Sequence, residues 1–186
     1  MTRIVMATSI LGSVLLSLAL MAGCGAGNIV ASGPLVGKLF PTVTGTSLMD
    51  EQVTLPNEFE GGVAIYMIGY VQQTQFDIDR WTIGLLQVGP QASIVEIPTI
   101  SGLVPTFMSG WIDDGMRSGI PKEDWPSVIT LYGNGAGVVA SLTGTENPQN
   151  ARVLVVDGNG VIRWFWDQGF SAKRLLELNS IVDQCQ

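Results

Sequence analysis

Residues 63–70, Val-Ala-Ile-Tyr-Met-Ile-Gly-Tyr, carry no charge and are apolar at nearly every position. An alternating pattern would mark a strand with one wet face, whereas a continuous apolar run of this length marks a strand covered on both faces. A chain built around such a strand must lay helices above and below a sheet. Residues 72–88 supply the first, with Ile78, Trp81, Leu85 and Val88 at spacings of three, four and three. Asp77 and Asp79, near its first turns, suit the positive end of the helix dipole. A second apolar run at residues 93–98 predicts another strand, and Pro105 opens a predicted helix carrying Met108, Trp111 and Asp114, with Gly119 as its stop.

Further along, residues 128–132 predict a strand, followed by a glycine-rich turn and a weaker strand over residues 138–142. Residues 152–156 and 161–166 flank Asp157-Gly158-Asn159-Gly160, the clearest hairpin in the chain. Ser171 is placed to cap a last helix, whose Leu175, Leu178, Val182 and Cys185 repeat the three, four, three spacing. Strands and helices alternate, which is an α/β pattern, and a chain of 186 residues has room for one such unit plus a targeting segment.

Composition removes much of enzymology. The chain has no histidine, so Ser-His and Cys-His dyads and every histidine-containing metal site are excluded. Its two cysteines, Cys24 and Cys185, are too few for a thiolate metal cage and too far apart for a CxxC motif. Neither metal nor cofactor is expected. Nine Lys and Arg against 16 Asp and Glu give a net charge of −7, which argues against nucleic acid as a partner.

The amino terminus reads as an address. Arg3 is its only charged side chain before Cys24, and an apolar stretch over residues 10–21 ends on the small residues Ala22 and Gly23. Met21-Ala22-Gly23-Cys24 resembles the lipobox of bacterial lipoproteins, with Met21 where that motif usually has Leu. The resemblance implies a signal peptide over residues 1–23 and a Cys24 that is acylated and becomes the first mature residue. Residues 24–34 then form the lipid anchor and a flexible tether, and residues 35–186 the folded domain. An uncleaved membrane anchor is the competing reading of the same run. A lipidated Cys24 places the protein in the cell envelope. Gly25, which is not the Asp that retains lipoproteins at the inner membrane, favours the outer one.

The element order, together with Val153-Leu154-Val155-Val156-Asp157-Gly158-Asn159-Gly160-Val161-Ile162, resembles thioredoxin-like domains, the peroxiredoxins and TlpA-type proteins among them. It implies a three-layer sandwich with a central mixed sheet and a C-terminal β-hairpin plus helix. Phe40-Pro41, Gly45, Leu48, Val53, Leu55-Pro56, Gly61-Gly62 and Ile162-Arg163-Trp164 are similar to a narrower branch, the thioredoxin-like assembly factors for the membrane sector of mitochondrial ATP synthase and their bacterial relatives. This chain departs from the redox-active members. Where they carry a CxxC or a Thr with a Cys, residues 69–75 read Gly-Tyr-Val-Gln-Gln-Thr-Gln, and where redoxins keep a cis-proline before the hairpin strand, this chain has Asn150-Ala151, with Pro148 nearby.

The resemblance places Gln72, Gln73, Thr74 and Gln75 where the fold meets a partner, making them a candidate polar recognition surface. Trp164 and Trp166 share one strand face and either pack under the last helix or form an aromatic docking pair. Asp113-Asp114 and Asp157-Gly158-Asn159-Gly160 superficially suggest metal ligation. Adjacent helix residues diverge, however, and the glycine turn has no acid or amide at Val161 to continue a calcium loop. The leading expectation is a lipid-anchored, redox-inactive thioredoxin-like domain that binds an envelope protein as an assembly or accessory factor. Two alternatives stay open: a thiol-disulfide or peroxidase-type enzyme that would have to use Cys185, and a small-ligand binding lipoprotein.

Overall fold

The computed structural model describes residues 34–102 and 106–186, with the side chains of residues 106–108 left aside. The predicted signal peptide and Cys24 lie outside the described residues, as does Pro105. A hairpin of β1 (Val43–Ser47) and β2 (Gln52–Leu55) leads into β3 (Ala64–Gly69) and α1 (Gln75–Val88). Then come β4 (Ser93–Ile100), α2 (Thr106–Gly119), β5 (Ile129–Tyr132) and α3 (Gly133–Thr143). β6 (Arg152–Val156), β7 (Ile162–Trp166) and α4 (Ala172–Gln184) complete the chain. The sheet order is β2-β1-β5-β4-β3-β6-β7, with β3 parallel to β4 and antiparallel to β6. Parallel β4 and β5 complete a mixed sheet, as expected.

β3 is buried at all six positions, because its two faces feed two cores. Ala64, Tyr66 and Ile68 pack with Val43, Leu55, Ile129, Ala136 and Val139 on the side of α3. Ile65 and Met67 pack with Ile78, Trp81, Leu85, Trp164 and Leu178 on the side of α1 and α4. Trp81, with no exposed surface, sits edge-on to Phe170 and Trp164 at ring separations of 5.3 and 6.1 Å.

One expected strand is a helix. Residues 138–142 belong to α3, whose buried Ala136, Val139, Ala140 and Thr143 follow the helical spacing of three, one and three. The β-branched pair Val138-Val139 and the glycines around it mask that period when only the apolar run is read. Gly135 lies against the main chain at Thr44, so the glycines let α3 approach β1 closely. Ser171 is the N-cap of α4, although its hydroxyl makes no capping bond.

Candidate functional site

The buried run of β3 ends at Gly69, where the chain turns through a short 3-10 segment, Gln72–Thr74, before entering α1. Three of the four predicted recognition residues, Gln72, Gln73 and Gln75, are exposed. Thr74 is not. It is buried, receives the amide of Val71 at 3.3 Å and donates its hydroxyl to the Pro148 carbonyl at 2.7 Å. The Gln75 amide donates to Asp79 at 3.0 Å. The turn contains no sulfur, and the hydroxyl of Thr74 is engaged by Pro148.

Two buried side chains, Asp77 and Arg152, and the half-buried Tyr70 hold the turn. Asp77, in the first turn of α1, accepts the amides of Ala151 at 2.9 Å and Phe170 at 2.8 Å, tying the starts of β6 and α4 to α1. Fully buried Arg152 donates to the carbonyls of Gly144, Asn147, Asn150 and Glu146, and its guanidinium lies 5.2 Å from the Tyr70 ring. Tyr70 in turn shares a 2.6 Å hydrogen bond with Thr143, and burial pushes its phenol up to about 12. Arg152 thus uses its fork of donors on carbonyls of the loop before β6 and makes no salt bridge among the described residues. Asn150-Ala151 is a trans bond, and the cis peptide among the described residues is Leu55-Pro56.

Beside the turn, a groove of about 1080 Å³ opens between α1 and α2. Its walls include residues 69–75, Phe76, Pro98 and Trp111. Phe76 and Trp111 are 72% and 76% exposed, so their rings are presented to the groove and to solvent. Its charged residues among those described are Asp79, Glu96 and Asp114, all acidic. Asp114 is balanced by Arg117 at 2.9 Å, which also holds Asp50. Glu96 is half-buried on β4. Burial raises its carboxyl to about 7, the amide of Gln75 opposes the rise and the charge of Asp79 adds to it.

The other end of the sheet carries Cys185. That residue is half-buried near Asp157 and Arg163, its thiol pushed upward chiefly by burial. Asp157 accepts the amides of Asn159 and Val161, both at 2.9 Å, and Arg163 at 2.5 Å. The Asp-Gly-Asn-Gly segment is therefore a closed turn whose acid is already occupied. Asp113 and Asp114 point to different partners, Tyr132 at 2.7 Å and Arg117. Among the described residues no cluster of three or more candidate ligands could hold a metal.

Trp164 is buried, donating to Glu177 at 3.0 Å, and half-buried Trp166 donates to the Gly169 carbonyl at 2.7 Å beneath Arg174, 4.2 Å from its ring. Both rings pack in or against the core cluster that holds Leu175, Leu178 and Val182 of α4. The groove residues Phe76, Asp79, Glu96 and Trp111 are not among the candidate site residues expected from the sequence. Two signals mark them: a second apolar stripe on α1 opposite the buried one, and a lone acid inside the apolar run at residues 93–98.

No family model and no curated protein matches the chain. Solved structures do. A putative protein disulfide isomerase from Bacteroides thetaiotaomicron aligns at 16% identity with a TM-score of 0.54, covering 84% of this chain and 93% of its own. BsSco, a member of the Sco family of cytochrome c oxidase assembly proteins, aligns at 8% identity and a TM-score of 0.55, covering 84% and 99%. A SCO1/SenC family lipoprotein from Bacillus anthracis aligns at 12% and 0.52, covering 84% and 99%. The fold is thioredoxin-like, and at these identities the likeness concerns the fold alone.

Proposed function

We propose that this protein is a lipid-anchored, redox-inactive thioredoxin-like domain that holds a segment of another envelope protein, acting as an assembly or accessory factor. The observation that carries this reading is the turn at residues 69–75. By its resemblance to thioredoxin-like oxidoreductases it stands where they keep their thiols; it contains no sulfur and opens on a groove rimmed by exposed Phe76 and Trp111. The lipobox-like Met21-Ala22-Gly23-Cys24 supports anchoring in the envelope, and lipoproteins and assembly proteins occur among the structures of similar fold. No helix among the described residues is long and apolar enough to cross a membrane.

Oxidoreductases among the same structures favour a thiol enzyme as the second reading. It would depend on Cys185, whose thiol is raised rather than lowered and lies at the end of the sheet away from the groove. The test is in-cell crosslinking and purification of the native protein beside a secreted Cys24→Ala variant, with a thiol titration of both. One envelope complex enriched with the native protein and lost with the variant, together with an inert Cys185, is the expected result. Recovery of the protein alone with a rapidly reacting Cys185 would contradict it.

A further inference from the structure

α1 has two apolar stripes. Ile78, Trp81, Leu85 and Val88 face the core, while Phe76, Ile83 and Leu86, at 72%, 59% and 72% exposed, run with Asp79 along the opposite side. Residues 76, 79, 83 and 86 follow spacings of three, four and three, so they share one helix face over about 15 Å. That face begins at the groove, which Phe76 and Asp79 both line, and Trp111 stands across it on α2. A helix with one face in the core ordinarily gives the other to polar residues, and a run of large exposed apolar side chains on one side of a domain marks a contact surface.

Charge narrows what the surface accepts. Glu96 and Asp79 lie together at the α1 side of the groove, no Lys or Arg is among the described residues lining it, and Arg117 balances Asp114 alone of its three acids. A half-buried carboxylate without a cation is costly until an opposite charge reaches it. We propose that this groove takes an extended polypeptide segment that presents one lysine or arginine side chain to Glu96 and Asp79 and lays apolar side chains on Phe76, Trp111, Ile83 and Leu86. The inference rests on the groove being the partner-binding end of the domain. A protein segment fits better than a membrane surface, because the anionic lipid headgroups that would attract a basic face repel this acidic one. An extended chain advances about 3.3 Å per residue, so five to eight residues cover the face.

The probe is an array of octapeptides in three sets that share one apolar background and differ only at a central Lys, Glu or Gln, exposed to the full-length protein in detergent. The lysine set is expected to bind at least tenfold more tightly than the glutamine set, and the glutamate set to fail. Glu96→Gln, and separately the exposed Asp79→Asn, should each abolish most of the lysine preference while leaving glutamine-peptide affinity within about twofold. Equal binding of the lysine and glutamine sets would overturn the cation assignment and leave the groove as a docking site. A blank array would overturn both readings, and if sedimentation then showed a dimer, the face would belong to a second copy of this chain.

Discussion

The two ends of the sheet are built from similar residues and left in opposite states. At the amino end of β3, the acid of the hairpin turn, Asp157, is consumed by two amides and Arg163. Gly158 there lies so close to Gly61 that a β-carbon would fall 2.7 Å from its backbone. At the carboxyl end, Asp77 and Arg152 are equally consumed, but one layer further out Glu96, Asp79, Phe76 and Trp111 remain open. At the carboxyl end the inner layer fixes the turn, while the outer layer presents an open groove.

Arg152→Ala should have the largest effect. It strands the carbonyls of Gly144, Glu146, Asn147 and Asn150, with an expected loss of roughly 3 kcal/mol or more by urea unfolding. A loss under 1 kcal/mol would show that the loop before β6 does not depend on that arginine. At the closed end, Gly158→Ala should cost about 1–3 kcal/mol through its clash with Gly61, measured the same way.

Glu96→Gln separates the ends by sign. The folded protein holds Glu96 protonated up to about pH 7, with Gln75 and Asp79 on α1 acting on it, while the unfolded chain releases that proton at ordinary carboxylate pH. Stability from this group is therefore present at low pH and lost as pH rises through 7. The variant should be more stable than the native protein at pH 8 by about 1–3 kcal/mol and indistinguishable at pH 4, read from thermal melts across pH. A variant less stable at both values would show that the carboxylate has a stabilising partner. The smallest effects belong to Cys185→Ser and Trp111→Ala, each expected within about 0.5 kcal/mol of the native protein, since both side chains are incompletely buried.

What could be read without coordinates follows from how local each signal is. The run at residues 63–70, the stripe Ile78-Trp81-Leu85-Val88 and the Asp-Gly-Asn-Gly turn each carry their period or turn chemistry within a dozen residues, and each appears as expected in β3, α1 and the β6–β7 hairpin. α3 is hidden in the sequence because its four buried positions sit among glycines and a valine pair, a composition that masks a helix until β1 packs on it. The turn at residues 69–75 was legible because an expected motif was missing there. Glu96 and Trp111 were not, because they lie 15 residues apart on a strand and a helix and meet only when β4 and α2 flank the groove. Thr74 looked like a surface residue and is buried by Pro148, 74 positions away.

On the proposed reading the open end, and not the closed one, meets the partner. A photocrosslinking amino acid placed in cells at Phe76 and, in a separate strain, at Asn159 tests it directly, because both positions report on the same lipid-anchored protein. Ultraviolet-dependent adducts from position 76 with none from position 159 are the predicted result. Adducts from position 159 with none from position 76 would contradict the account and move the binding surface to the turn beside Cys185.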